Sequence, residues 1–151
     1  MSKLGYSFTQ FDVGRMARAY GRELPIPSKK TIELCRALRG KKVEQAKEYL
    51  ERVMKLEQAV PFKRYNRWVA HKAGIGPGRY PVKSAKHVLK ILKSAEENAR
   101  DHGLEPEEMR IRIIAPHLGS IEKGSRPRAH GRSSPWNQQT INLEIVLELV
   151  T

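Results

Sequence analysis

The stretch 107–151, EEMRIRIIAPHLGSIEKGSRPRAHGRSSPWNQQTINLEIVLELVT, decides how the chain is read. Met109, Ile111 and Ile113 alternate with Arg110 and Arg112, and Ile141, Leu143, Ile145, Leu147 and Leu149 alternate with Asn142, Glu144 and Glu148. A period of two is the mark of a half-buried strand. Paired antiparallel, the two strands would set Arg110 and Arg112 across from Glu144 and Glu148. Between them, Pro116 to Gln139 carries Lys123, Arg126, Arg128 and Arg132 against the single acid Glu122, with three glycines, three prolines and little to bury. A loop of this length is rare in a compact domain unless it is functional or ordered by a partner. It reads as a projecting arm; a ribbon of ~12 residues a side would reach ~40 Å at ~3.3 Å per residue.

Working backwards from the arm, the longest apolar stripe is Val82, Ala85, Val88, Leu89, Leu92, Ala95 and Ala99. This spacing predicts a helix opened by Pro81, placed at the first helical position, and ended by Gly103. Lys83, Lys86, Lys90 and Lys93 lie off that stripe in its first half, while Glu96, Glu97 and Asp101 follow in the second. The helix dipole favours the reverse order, so lysines aimed at phosphates are the reading preferred over a solvated face. Two shorter helices precede it. One has Ser28 as its N-cap, Ile32, Cys35 and Leu38 on its buried face, and Gly40 at its end. The other starts near Lys42, with Val43, Ala46, Leu50, Val53 and Met54 on one side.

From Gln58 to Ala95 there is no acid. Lys63, Arg64, Arg67, Lys72 and Arg79 are interleaved there with Phe62, Tyr65, Trp68 and Tyr80, and the segment closes on GIGPG at 74–78. The glycines invite comparison with a phosphate-cradling loop, but no Lys-Ser/Thr ending follows and no apolar strand precedes. An irregular RNA-contacting loop is the better reading. Further upstream, Arg15 to Leu24 has the weak alternation of an edge strand, Pro25-Ile26-Pro27 breaks regular structure, and residues 1–14 read as an extended tail. Helices and strands together satisfy their apolar faces as a two-layer α+β sandwich.

The composition bounds the function. A chain of 151 residues fits one domain, 1–151. A net charge of +13 suits a polyanionic partner, above all nucleic acid. No apolar run approaches the ~20 residues of a membrane span, and the N-terminus lacks a signal-peptide core. Cys35 is the one cysteine, which fits a reducing cytosol and a small core residue. His71, His87, His102, His117 and His130 are scattered without metal-like spacing, and no serine stands in a nucleophile turn. Neither an enzyme, a metal site nor a cofactor is expected.

LCRALRGKKVEQAKEYL (34–50), AVPFKRYN (59–66), GRYPVKSAKHVLKILKSAEENARDHGLEPEEMRI (78–111), RPRAHGRSSPW (126–136) and INLEIVLEL (141–149) occur in an order that resembles one family over nearly the whole chain. It is the universal large-subunit ribosomal protein L-twenty-two family in its archaeal and eukaryotic form, called L-seventeen in eukaryotes. The resemblance implies three helices on a small three-stranded antiparallel sheet, the third strand being Arg15 to Leu24, with a long protruding β-hairpin arm at 116–139. It marks 61–80 as the Gly-rich basic insertion of that branch. It implies a structural component of the large subunit, in the cytoplasm, that binds ribosomal RNA and neighbouring ribosomal proteins, supports assembly and lines the peptide exit tunnel. The RNA contacts would be Lys63, Arg64, Arg67, Lys72, Arg79, Lys83, Lys86, Lys90, Lys123, Arg126, Arg128, His130, Arg132 and Trp136. The tunnel-lining tip, facing the nascent polypeptide, would be Glu122, Lys123, Gly124, Ser125, Arg126, Pro127, Arg128, Ala129, His130, Gly131 and Arg132. The chain departs from the family in its N-terminal tail and in details of the insertion. A free RNA-binding regulator or RNA-processing factor is the alternative; a membrane-surface protein is disfavoured because the arm offers no apolar insertion face.

Overall fold

The computed structural model describes residues 5–150; residues 1–4 of the expected tail and Thr151 lie outside them. Its central strand is β8 (Gln138–Leu149), flanked by β1 (Met16–Leu24) and β5 (Met109–Glu122), both antiparallel to it. Three helices, α1 (Ser28–Leu38), α2 (Val43–Met54) and α3 (Val82–Asp101), cover the sheet's inner side. The α+β class and the three-stranded sheet expected above are therefore present. Helix α3 crosses β1 and β8, α1 lies over β5, and α2 packs against α3. Ala17, Ala19, Leu143, Ile145 and Leu147 of the sheet meet Leu34, Leu38, Leu50, Val88 and Leu92 of the helices, all buried. Each Leu, Ile or Val among them contributes about 1.5–3 kcal/mol when removed from water.

Glycine enters where the backbone demands it. Gly103 has φ +72° just past α3, and the Leu104 amide then reaches back to the Ala99 carbonyl at 2.9 Å, which closes the last turn. The helix starts differ from expectation by one residue. Pro27 and not Ser28 is the cap of α1, with Thr31 Oγ1 donating to the Pro27 carbonyl at 2.8 Å. Pro81 likewise caps α3 from outside and Val82 is the first helical residue, 39% exposed rather than part of the apolar stripe. On α1, Leu34 is buried and Ile32 only half-buried, because the insertion and the sheet close on this helix from two sides.

In β5 the alternation breaks. The register slips between Ile111 and Ile113, so Ile114 faces the core and Ile113 is half-buried. A bulge of this kind adds one residue to one strand and turns its side chains over. Arg110 sits opposite Glu148 and bridges it at 3.2 Å, with Arg112 at 3.9 Å. Glu144, expected opposite these arginines, does something else.

Glu144 is fully buried on the outer side of the sheet. Its carboxylate accepts hydrogen bonds from the Ser7 amide (3.0 Å), the Ser7 hydroxyl (2.7 Å) and the Phe8 amide (3.2 Å). His117 Nε2 lies 3.5 Å away. The described part of the tail is thus a strap. It lies across the outer face, with the Arg18 guanidinium 4.2 Å from the Tyr6 ring and 4.3 Å from the Phe11 ring. Sequence pattern could not show this, since segment 5–15 has no period.

Beyond the core, β5 and β8 run on together to the pair Glu122–Gln138, and β6 (Ser125–Pro127) and β7 (Ser133–Pro135) continue the hairpin. A second register slip falls between Leu118 and Ile121. There Gln139 Nε2 donates to the Gly119 carbonyl at 2.8 Å and Thr140 Oγ1 to the Ser120 carbonyl at 2.9 Å. A Cβ on Gly119 would stand 2.5 Å from Thr140 Oγ1, so the close approach requires glycine. The insertion is also more regular than expected. β2 (Val60–Pro61), β3 (His71–Lys72) and β4 (Gly76–Arg79) form a small sheet in the order β2-β4-β3. Such short strands carry no readable period. Gly74 and Gly76, both at positive φ, turn the β3–β4 hairpin rather than cradle a phosphate at a helix start.

Two outcomes follow. No side chain in 123–137 is buried, so replacing that stretch by a two-residue turn removes nothing from the core. The melting temperature is expected to move by less than about 2–4 °C, the equivalent of ~1 kcal/mol in a domain of this size; a larger loss in a thermal melt would make the arm part of the core. The second concerns acid. Burial, the largest single influence, pushes the Glu144 carboxyl up, but the Ser7 and Phe8 donors and His117 together outweigh it and hold it below its ordinary 4.5. A depressed carboxylate contributes stability above its unfolded value and loses it as pH falls through the folded one. Glu144→Gln is therefore expected to be less stable than the parent at neutral pH, with the gap closing below about pH 4.5. A gap independent of pH in parallel melts would contradict the strap's attachment through a carboxylate.

Candidate nucleic-acid interface

The acid-free segment is positioned by one acid from outside it. Glu33 on α1 is 1% exposed. Its two oxygens accept the backbone amides of Lys63 (3.1 Å), Arg64 (2.7 Å) and Tyr65 (2.7 Å). Consecutive amides gathered on one carboxylate make a strong anchor, because hydrogen bonds to a charged group contribute about 1.5–3 kcal/mol each. Val60, Phe62 and Val69 drop into the core beside it. So held, the insertion turns Lys63, Arg64, Arg67 and Arg79 outward, and Trp68 is 85% exposed. Lys72 is half-buried, its Nζ 5.4 Å from the Tyr80 ring centroid.

Helix α3 presents Lys83, Lys86, Lys90 and Lys93, all exposed. His87, among them, is pushed below its ordinary value by burial and then by Lys83, Lys86 and Lys90, since each neighbouring cation disfavours a further positive charge. Two of the three acids of the same helix, Glu96 and Glu97, are engaged in ion pairs within the protein. Glu96 is nearly buried and bridges Lys47 of α2 at 3.0 Å and Arg100 at 2.9 Å; Glu97 pairs with Arg100 at 2.8 Å.

The arm adjoins the lysine end of α3. Lys83 and Glu122 line one cavity of about 190 Å³ with Pro25, Ile26 and Pro27. Further out, Lys123, Arg126, Arg128, His130 and Arg132 are all exposed, as are Gly124, Ser125, Pro127, Ala129 and Gly131. The tip is a tight turn. The Arg128 amide donates to the Arg132 carbonyl at 2.8 Å, with His130 and Gly131 at φ +57° and +64°. The Arg126 guanidinium covers the Trp136 ring at 5.0 Å, and Arg128 Nε donates to Ser134 Oγ at 3.0 Å.

Taken together, the insertion, the lysine face and the arm supply three exposed basic surfaces. Most exposed acids lie elsewhere: Glu44, Glu48 and Glu51 on α2, and Glu97, Asp101, Glu105, Glu107 and Glu108 around the end of α3, with Glu122 the one exposed acid on the arm. Sequence reasoning missed Glu33, and it missed Arg36 on α1 and Arg39 just past its end, both exposed beside the insertion. Their spacing of three was visible, but without the fold nothing joined them to Arg64. Cys35, just before Arg36, is buried, and burial pushes its thiol up to about 12 against the pull of Arg39, so it is an inert packing group.

Residues 19–148 match the family model described as ribosomal protein L22p/L17e. The protein named large ribosomal subunit protein uL22 from Methanococcoides burtonii is 46% identical over 151 residues, covering 99% of each chain. Proteins of the same name are 41% identical in Archaeoglobus fulgidus, covering 99% of this chain and 98% of the relative, and 45% identical in Ignicoccus hospitalis, covering 90% and 89%. On this evidence the chain belongs to the ribosomal protein L22p/L17e family, a structural and non-enzymatic class of ribosomal protein.

Proposed function

We propose that this protein is a structural component of the cytoplasmic large ribosomal subunit that holds ribosomal RNA against its insertion, lysine face and arm, and lines the nascent-peptide exit tunnel with the arm tip. The observation that carries the RNA part is the separation of charge. Lys63, Arg67, Lys83, Lys86, Lys90, Lys123 and Arg132 make no ion pair among the described residues, while most exposed acids gather on α2 and the end of α3. Unpaired cations spread over an insertion, a helix and a ribbon fit a polyanion that runs past all three. Exposed Trp68 and Trp136 add flat surfaces on which unpaired bases stack. The tunnel part is supported by the family resemblance and by the arm's form, a narrow ribbon with no buried side chain from 123 to 137. Ordering such a ribbon costs about 1–2 kcal/mol of backbone entropy per residue, which surrounding RNA would offset.

Changing Lys83, Lys86, Lys90 and Lys93 together to Gln tests the RNA interface. Glutamine is a comparable helix former, so helicity by circular dichroism is expected to hold. Affinity for a large-subunit RNA transcript is expected to fall, and its log–log dependence on salt to flatten by about 0.9 per lost phosphate contact. Unchanged affinity and slope would reduce the stripe to a solvated surface. For the tip, a photo-crosslinking residue in place of His130 is expected to capture an arrested nascent chain in isolated ribosomes. The same residue in place of Glu44 on α2 serves as the control. Equal yields from the two sites would overturn the tunnel reading and leave RNA binding standing.

A further inference from the structure

We infer that the hollow where α1, the insertion and the base of the arm meet is a pocket for a single unpaired RNA nucleotide. It encloses about 320 Å³ and is lined by Ile32, Cys35, Arg36, Arg39, Arg64 and Pro116. That size admits one nucleotide and is too small for a paired helix. The lining divides by chemistry. Half-buried Ile32 and Pro116, with Cys35 behind them, make an apolar floor; Arg36, Arg39 and Arg64 stand exposed around it. No carboxylate pairs with any of these arginines among the described residues. Glu33, on the same helix, has its oxygens occupied by the Lys63, Arg64 and Tyr65 amides.

The pocket is also built rigidly. Those Glu33 bonds set Arg64 beside α1. The end of α1 is tied to β5 by the Gly40 amide on the Ile111 carbonyl (3.0 Å) and the Ile111 amide on the Lys41 carbonyl (2.9 Å). That pairing carries Pro116 to the pocket's edge. An apolar floor takes the face of a base or a ribose, and guanidinium groups give planar, bidentate contacts to phosphate. A base that has left its stack offers both at once, as paired RNA does not.

This inference rests on the RNA-binding reading above, and the experiment separates their failures. The full-length protein is followed by NMR through the Ile32 methyl groups and the Arg36, Arg39 and Arg64 Nε–Hε resonances. The probes are a single-stranded oligouridylate, an RNA duplex with the same number of phosphates, free uridine monophosphate and inorganic phosphate. Oligouridylate is expected to shift the Ile32 methyls and the arginine resonances together and saturably, with uridine monophosphate doing so more weakly and the duplex leaving Ile32 unmoved. Arg36→Gln combined with Arg39→Gln is expected to weaken oligouridylate binding by about tenfold while changing duplex binding far less. Oligouridylate shifts confined to the lysine face, or arginine shifts with phosphate while Ile32 stays still under every probe, would overturn the nucleotide pocket and leave RNA binding intact. Failure of both RNAs to bind at low salt would overturn the RNA reading and the pocket with it.

Discussion

Strand β8 is buried on both faces, and the rest of the molecule follows from how that burial is satisfied. Inward, Leu143, Ile145 and Leu147 complete the core with the three helices. Outward, Val146 is buried, and the Glu144 carboxylate is met by the N-terminal strap, which supplies the hydrogen bonds a buried charge requires. Both edges of β8 are paired, by β1 and β5, so its backbone groups are satisfied as well. A strand held on all sides can carry its partner β5 outward as a ribbon. The arm is the same pair of strands continued past the domain, and its direction is set by the sheet and by the clip of Gln139 and Thr140 at the Gly119–Ser120 bulge.

Charge is partitioned by the same fold. Glu33, Glu96, Glu144 and Glu148 are spent inside the molecule: on the insertion amides, on the α2–α3 contact, on the strap and on the β5–β8 pair. Most other acids are exposed on α2 and near the end of α3. What remains around the insertion, the first half of α3 and the arm is predominantly cationic, with Glu122 the single acid on the arm. The +13 charge of the chain is thus concentrated on particular surfaces, where it can attract a polyanion and where it destabilises the free protein by self-repulsion.

Much of this was legible in the amino-acid sequence. The period of two in β8 and the apolar stripe of α3 are direct consequences of one-sided packing. Gly40 and Gly103 both take positive φ, as their helix-ending positions suggested. What could not be read shares a cause: it depends on residues distant in sequence. The β5 bulge displaces Ile113 in favour of Ile114 because of how β5 registers on β8, which local alternation does not encode. Glu33 looked like one more helix-surface acid until amides thirty residues and more away were found on it. Strand alternation sets Glu144 across from arginines, yet its hydrogen-bond donors come from Ser7 and Phe8, in a segment with no hydrophobic period. Arg36 and Arg39 gain meaning only beside Arg64 and Pro116.

The central claim is that the cations of the insertion, lysine face and arm have no neutralising partner within the fold. The direct test is the melting temperature of the isolated protein as sodium chloride is raised from about 0.05 M to about 0.5 M, over which the Debye length shrinks severalfold below ~14 Å. Screening of unpaired like charges is expected to raise the melting temperature across that range. A melting temperature that falls with salt would mean that attractive ion pairs within the protein outweigh the repulsion, and would contradict the account.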